Sequence, residues 1–261
     1  MSELEKSGIV NLYKEVGETP FECMARWRSA HPELEFAPMT YAGRLDPMAE
    51  GLILVLYGDK THEKNDYLSF NKEYEFGVLF GFSTDTYDIL GKVAFESNLE
   101  NIEIEKEMLE ETVSKMIGQN EMPYPAFSSR PVAGRPLFLW AKEGKLDEIK
   151  IPNHIVEIFS IKILENRNIS KRELLDYIEN KIKKVKGDFR QEEILKIWRE
   201  KLFDSMSESF PVVKCIAEVG SGTYIRQIAH VLGEKLGISG LTFSIKRTKV
   251  GEYRVEDSER G

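Results

Sequence analysis

Residues 41–51 read YAGRLDPMAEG, and the triplet Leu45-Asp46-Pro47 at its centre decides how the rest of the chain is read. A proline after Asp46 disfavours helical backbone at the aspartate and biases it towards extended geometry. The carboxylate is therefore expected to point in a fixed direction from the mouth of a loop. Asp-Pro is also common turn and helix-start chemistry, so the dipeptide alone specifies a turn more than a site. Directly after it, 51–57 reads GLILVLY, a continuous apolar run that requires burial. Periodicity leaves this run open between helix and strand.

Working outward, 8–13 is a short apolar run suited to a strand. Thr19-Pro20 has the grammar of a helix start, threonine as N-cap and proline in the first turn, with 21–29 continuing the helix. Residues 74–80 are rich in aromatic residues, with β-branched Val78 among them, and are broken by Gly81, which predicts a strand. Residues 104–117 have helical spacing, and 122–136 is rich in Pro, Ser and Gly and reads as a loop. Strands are expected at 156–164 and 212–219. An amphipathic helix is expected at 224–236, closed by Gly237. The stretch 166–209 differs in texture: highly charged, mixed in sign and helical in period, with one basic cluster at 181–186 (KIKKVK). Strands flank it on both sides, so it reads as an insertion within one domain.

The 261 residues, 41% hydrophobic and 31% charged, fit a globular chain with a full core. No apolar stretch is long enough to span a bilayer, and MSELEKSGIV lacks the apolar core of a signal peptide. Cys23 and Cys215 stand far apart without a CxxC, which suits reduced thiols in a cytoplasmic protein. His31, His62, His154 and His230 have no ligand spacing, so no metal site is expected. The net charge of −8 and pI near 5.3 run against a nucleic-acid binder, although binding depends on where charges sit. Acids crowd into 96–111, while 246–249 is locally basic.

Several segments, taken in order, resemble the TruB family of pseudouridine synthases. The catalytic pattern G-x-L-D-P-x-A-x-G stands as Gly43, Leu45, Asp46, Pro47, Ala49 and Gly51. A strand and turn at 8–17, with Lys14, is similar to the family's first motif. Lys72 and Tyr74 match its K-x-Y strand, and Gly81, Thr84, Asp85, Thr86 and Asp88 match its G-x-x-T-D-T-x-D segment. The loop at 125–138 approximates a further motif, G-T-Y-I-R is intact at 222–226, G-E-x-L-G follows at 233–237, and 245–251 resembles the closing strand. The shared order, more than any single motif, carries the resemblance.

The resemblance implies an α+β pseudouridine-synthase fold, with a mixed, mainly antiparallel central sheet flanked by helices. It implies an isomerase that breaks the C1′–N1 bond of uridine and rejoins the base through C5, acting on the T-loop uridine (position 55) of tRNA. Asp46 would be the catalytic carboxylate, either attacking covalently or stabilising a glycal-type intermediate. Arg226 would keep it ionised, since a buried carboxylate otherwise takes up a proton. A cation in the first turn of a helix is opposed by the helix dipole and needs such a reason. Tyr74 would stack on the target uracil, with Tyr224 beside the pocket positioning Arg226. Tyr41, Arg44, Lys14, Thr84, Asp85 and Arg247 complete the expected substrate-binding set, and Arg130, Arg135, Lys246 and Lys249 are further candidate phosphate contacts. For Thr84–Asp88, turn chemistry is an equally good reading. No cofactor is expected, because isomerisation has no net redox change. RNA, most of all the tRNA T arm, is the expected partner, with no membrane and no metal.

The chain departs from the family pattern at three positions: Tyr41 stands where many members carry histidine, Arg44 where a small residue is usual, and Glu15 where proline is usual. A single catalytic domain over 1–261 without a PUA domain is expected. The insertion at 166–209 has no counterpart in the compact core; it reads slightly better as a solvated helical decoration, and the competing reading is that its basic helix takes over part of the RNA grip. The competing readings are the same chemistry on another RNA, or an RNA-binding or folding protein without catalysis. Retention of Asp46, Tyr74 and Arg226 together argues against the latter. An α/β-hydrolase lacks its G-x-S-x-G elbow here, and GDKT at 58–61 lacks P-loop spacing.

Overall fold

The computed structural model describes residues 7–96 and 102–260; the first six residues of the amino-terminal stretch and residues 97–101 of the acidic run lie outside them. In chain order the elements are β1 (Gly8–Lys14), α1 (Pro20–Ser29), β2 (Met39–Ala42), β3 (Ala49–Tyr57), α2 (Lys64–Ser69), β4 (Lys72–Phe80), β5 (Phe82–Thr84) and β6 (Val93–Glu96). They continue with α3 (Lys106–Ser114), β7 (Gly118–Pro123), β8 (Pro131–Val132), β9 (Arg135–Pro136), α4 (Leu137–Lys142) and β10 (Asn153–Ser170). The last are α5 (Lys171–Ile182), α6 (Gln191–Asp204), β11 (Ser209–Val219), α7 (Ile225–Leu236), β12 (Gly240–Val250) and β13 (Tyr253–Arg254).

The main sheet runs β1-β3-β12-β4-β11-β10-β7, with β2 added beside β3 and β13 beside β12. Its pairings are antiparallel except for the parallel β3–β12 contact at Ile245–Ala49 to Arg247–Gly51. The chain thus has the expected α+β architecture, a mixed and mainly antiparallel sheet with flanking helices.

The apolar run after the Asp-Pro loop is a strand. Side chains on a strand alternate between faces. Along β3, Ile53, Val55 and Tyr57 enter one core while Leu52, Leu54 and Leu56 enter another. Both faces are covered, so the run is apolar throughout and shows no alternation in sequence. Helices α1, α3 and α7 supply Trp27, Leu109 and Ile228 to the first core. The opposite face carries a third cluster in which Trp198 of α6 and Leu174 of α5 pack with Phe82, Phe210 and Leu241.

Helix α1 starts where its cap chemistry dictates. Thr19 accepts from the Glu22 amide and Glu22 reaches back to the Thr19 amide, a reciprocal capping box worth about 1 kcal/mol. Helix α7 ends at Gly237 in the left-handed region, as expected for a C-terminal glycine.

Three boundaries differ from the sequence reading. The strand expected at 156–164 runs the full length of Asn153–Ser170, so the first residues of the charged stretch are sheet, and Ser209 already opens β11. The helical part of the stretch is α5 and α6, joined across 183–190. The loop expected at 122–136 contains the small β8–β9 hairpin. Pairing across strands decided these limits, and charged residues on a solvated strand face carry no helix-or-strand signal of their own.

Candidate active site

A cleft of about 620 Å³ opens where the 43–48 loop, the 85–90 segment, the loop around Phe127 and the start of α7 converge. Asp46 lies in it, on the loop between β2 and β3. Arg226, in the first turn of α7, donates from Nε to Asp46 Oδ2 at 2.7 Å. The arginine side chain is only 3% exposed, whereas Asp46 keeps 32% of its side-chain surface open to the cleft. The remaining guanidinium nitrogens are taken up by backbone: Nη1 donates to the Thr86 carbonyl at 2.6 Å and Nη2 to the Phe127 carbonyl at 3.2 Å. A charge-assisted bond of this kind is short and strong, and fixed donors hold the carboxylate in one orientation.

Asp88 is a second carboxylate on the same arginine, its Oδ2 3.9 Å from Arg226 Nε. Its Oδ1 accepts from Thr86 Oγ1 at 2.7 Å and from the Leu90 amide at 3.0 Å. Burial pushes the Asp88 carboxyl up to about 6, with Arg226 pulling the other way. For Arg226, burial disfavours the cation, yet Asp46 and Asp88 together hold its affinity for the proton above the ordinary value. The sequence reading covered Asp88 only within 84–88, as a substrate or turn segment, and did not pair it with Arg226; the available signal was the same TDT-x-D string.

The 43–48 loop is tied down from below by buried cations. Lys14 Nζ donates to the carbonyls of Ala49 at 2.6 Å and Glu15 at 3.0 Å. Arg247 donates from Nε to the Leu52 carbonyl at 2.8 Å and from Nη2 to the Gly43 carbonyl at 3.1 Å. The Gly17 amide adds a bond to the Pro47 carbonyl at 2.8 Å. Gly51 passes so close to Arg247 that a Cβ there would strike its backbone, and φ is +106°. Only glycine satisfies both conditions.

These contacts correct part of the expected substrate-binding set. Lys14 and Arg247 are 0% and 1% exposed and spend their donors on backbone carbonyls of the loop; Arg247 also lines the cleft, and Lys14 does not. Burial pushes the Lys14 ammonium down to about 8, against the pull of Asp46. Thr84 is buried and donates its hydroxyl to the Asp88 carbonyl at 2.7 Å. Asp85 accepts from the Lys92 amide and pairs with Arg190 at 2.7 Å. Both Thr84 and Asp85 do turn and brace work, the alternative that the sequence had left open. Arg135 is likewise engaged, by Glu143 and the Trp140 ring.

Tyr74, Tyr41, Arg44 and Tyr224 do line the cleft with Asp46 and Arg226. Tyr74 comes from β4, opposite Arg247 of β12 in the sheet register. Arg44 is exposed and donates to the Tyr41 hydroxyl at 3.3 Å, with Lys64 over the Tyr41 ring. Tyr224 caps the start of α7; burial and then the Asp46 charge raise its phenol above the ordinary value. Residues that the sequence reading missed also line the cleft: Phe21 of α1, Lys72 of β4, Phe127, and Phe189 and Arg190 from the helical insertion. Lys72 lies two residues before Tyr74 and was quoted only as part of a motif. Its ammonium donates to the Leu68 and Phe70 carbonyls, and burial followed by Arg247 pushes it down to about 8.

Solved structures show what class this architecture belongs to. The chain superposes on the protein in "Crystal Structure of a Cbf5-Nop10-Gar1 Complex" with a TM-score of 0.58 at 16% identity, covering 95% of this chain and 50% of that one. It matches the one in "Structure of H/ACA RNP bound to a substrate RNA containing 2'-deoxyuridine" with a TM-score of 0.54, covering 48% of that chain. The chain thus spans about half the length of the solved chains it matches, and what it shares with them is the pseudouridine-synthase fold. A family model, "TruB family pseudouridylate synthase (N terminal domain)", matches residues 33–190, and the chain belongs to that family. Relatives named tRNA pseudouridine synthase B include those of Nostoc sp. (28% identical over 251 residues, 96% of this chain and 70% of the relative) and Aquifex aeolicus (28% over 253 residues, 96% and 71%). The relative from Chloroherpeton thalassium is 26% identical over 247 residues, 94% of this chain and 84% of its own length.

Proposed function

We propose that this chain isomerises uridine to pseudouridine in RNA, with the T-loop uridine of tRNA as its substrate. The observation that carries the reading is the Asp46–Arg226 pair at 2.7 Å in a cleft lined by Tyr74. The reaction detaches uracil from C1′, turns it, and rejoins it through C5, whose proton is then lost while N1 gains one. It needs a carboxylate that stays ionised in a partly dry site and faces the sugar. Arg226 sets a cation against the carboxylate, and its other bonds to Thr86 and Phe127 fix the direction. Tyr74 offers a flat surface for a base taken out of its stack. Arg44 and Lys142 put positive charge on the cleft, where phosphates flanking the target would run.

The relatives' shared name, tRNA pseudouridine synthase B, supports tRNA among RNA substrates. A neighbour whose title describes a bound substrate RNA supports RNA in general. No described helix is long and apolar enough to cross a membrane, which is compatible with work in the cytoplasm. Asp46, Tyr74 and Arg226 are the proposed catalytic groups, with Tyr41, Arg44 and Tyr224 holding the substrate. The reaction as written balances without a cofactor. We take residues 7–96 and 102–260 as one catalytic unit that includes the insertion.

The test is incubation of the protein with an unmodified tRNA transcript and mapping of pseudouridine, beside Asp46→Asn. Pseudouridine at the T-loop uridine that vanishes in the variant supports the reading. Binding by both without modification by either would instead favour an RNA-folding protein.

A further inference from the structure

Arg190 is an arginine in two unfavourable places at once. It precedes α6 with φ +65° and ψ 25°, a left-handed conformation that costs a residue with a Cβ. It also sets a cation at the amino end of a 14-residue helix, where the dipole disfavours positive charge. Glycine or asparagine would serve the backbone better there. Such strain persists where the surroundings over-determine it, and it clusters at functional sites.

The side chain shows what compensates. Arg190 Nη1 donates to Asp85 Oδ2 at 2.7 Å, and the guanidinium lies 4.5 Å from the centre of the Phe127 ring. These two contacts fall on the two backbone segments that hold Arg226. Thr86, next to Asp85, gives its carbonyl to Arg226 Nη1, and Phe127 gives its own carbonyl to Nη2. The insertion is pinned behind Arg190 by Trp198, fully buried, whose indole donates to the Ile89 carbonyl at 3.1 Å, and by the Lys92–Glu193 ion pair.

We propose that Arg190 is a positioning residue for the reaction: from the helical insertion it clamps the Thr86 and Phe127 segments together, and so fixes the Arg226 guanidinium against Asp46. This rests on the function proposed above. The insertion is then an integral wall of the site, and its contribution is geometric, separate from any grip of its exposed lysines on RNA. Phe189 and Arg190 face the cleft, while Lys183 pairs with Glu179 on α5.

The experiment compares wild type, Arg190→Ala, Arg190→Lys and Asp85→Asn in single turnover on a tRNA transcript, with the melting temperature of each. Arg190→Ala is expected to lower the maximal rate about ten- to a hundred-fold, with little change in RNA affinity. Arg190→Lys should recover part of the rate, since it keeps the charge on Asp85 and loses the flat contact with Phe127. In parallel, the side-chain Nε–H signal of Arg226 is followed by ¹⁵N NMR, identified by its loss in Arg226→Lys. It should broaden or shift in Arg190→Ala. A folded Arg190→Ala with unchanged rate and unchanged Arg226 signal overturns the clamp. Wild type without activity on any RNA would sink the functional reading instead, and the Arg226 signal alone would then decide whether the clamp exists.

Discussion

Arg226 Nε donates to Asp46 Oδ2 at 2.7 Å although the two residues stand 180 positions apart in sequence. The pair joins the loop before β3 to the first turn of α7, and it fixes the direction of the Asp46 carboxylate, the more exposed partner of the two. Every expectation about catalysis depends on this bond.

Asp46→Asn keeps the shape and a hydrogen-bond acceptor while removing the charge. The rate of pseudouridine formation should fall at least about a thousand-fold. Affinity for tRNA, measured by filter binding, should stay within about two-fold, because the proposed phosphate contacts, Arg44 and Lys142, are other residues of the cleft.

Arg226→Lys is not a conservative change. A single ammonium cannot reach Asp46 and both carbonyls of Thr86 and Phe127 from the geometry of a planar fork. The maximal rate should fall about a hundred-fold. Arg226→Met should in addition destabilise the fold by about 3 kcal/mol, because Asp88 stays buried without its cation. Urea unfolding at neutral pH separates the two effects.

Asp88 makes stability depend on pH in a set direction. Its carboxyl lies near 6 in the folded chain and near 3.8 when unfolded, so between these values the folded state holds more protons. The stability it contributes is complete below the lower value and is lost as pH rises through the upper one, by on the order of 3 kcal/mol. Asp88→Asn cannot ionise and should lose this dependence. The difference in urea midpoint between variant and wild type should therefore move in the variant's favour as pH rises from about 4 to about 7. A difference that stays flat would contradict the raised carboxyl.

Gly51→Ala should lower stability by about 2 kcal/mol or more, because φ is +106° and the new methyl meets the Arg247 backbone. Since Arg247 also bonds the Gly43 carbonyl, activity should fall further than stability does. Comparing residual rate with melting temperature, against a core variant of equal stability loss, checks this.

Trp198→Ala should cost about 3–5 kcal/mol, as expected for a buried tryptophan that also loses its bond to Ile89. If the insertion is one unit with the sheet, unfolding remains a single transition by tryptophan fluorescence and by circular dichroism. Two separated transitions would show that α5 and α6 fold on their own.

What the sequence by itself determined is local. The Asp-Pro step, the Thr19 cap with Pro20, Gly237 after α7 and the aromatic-rich run at 74–80 each depend on a few neighbours, and each was readable from residue type and spacing. The ordered motifs also carried the family, the α+β fold and the Asp46–Arg226 pairing. Tertiary structure alone decided the rest. Lys14, Arg247, Thr84 and Asp85 read as polar groups available to substrate, because sequence records charge and not partners; in the fold backbone carbonyls take up Lys14, Arg247 and Thr84, and the Lys92 amide and Arg190 engage Asp85. Strand β10 reached Ser170 because β11 offered pairing partners along its length, a non-local choice that charged side chains do not announce. Arg190 lies 105 positions from Asp85 and was read as one cation in a solvated stretch. Its place at the cleft follows only from how α6 docks on the sheet, since contacts between distant segments are fixed by the whole fold and not by any window of sequence.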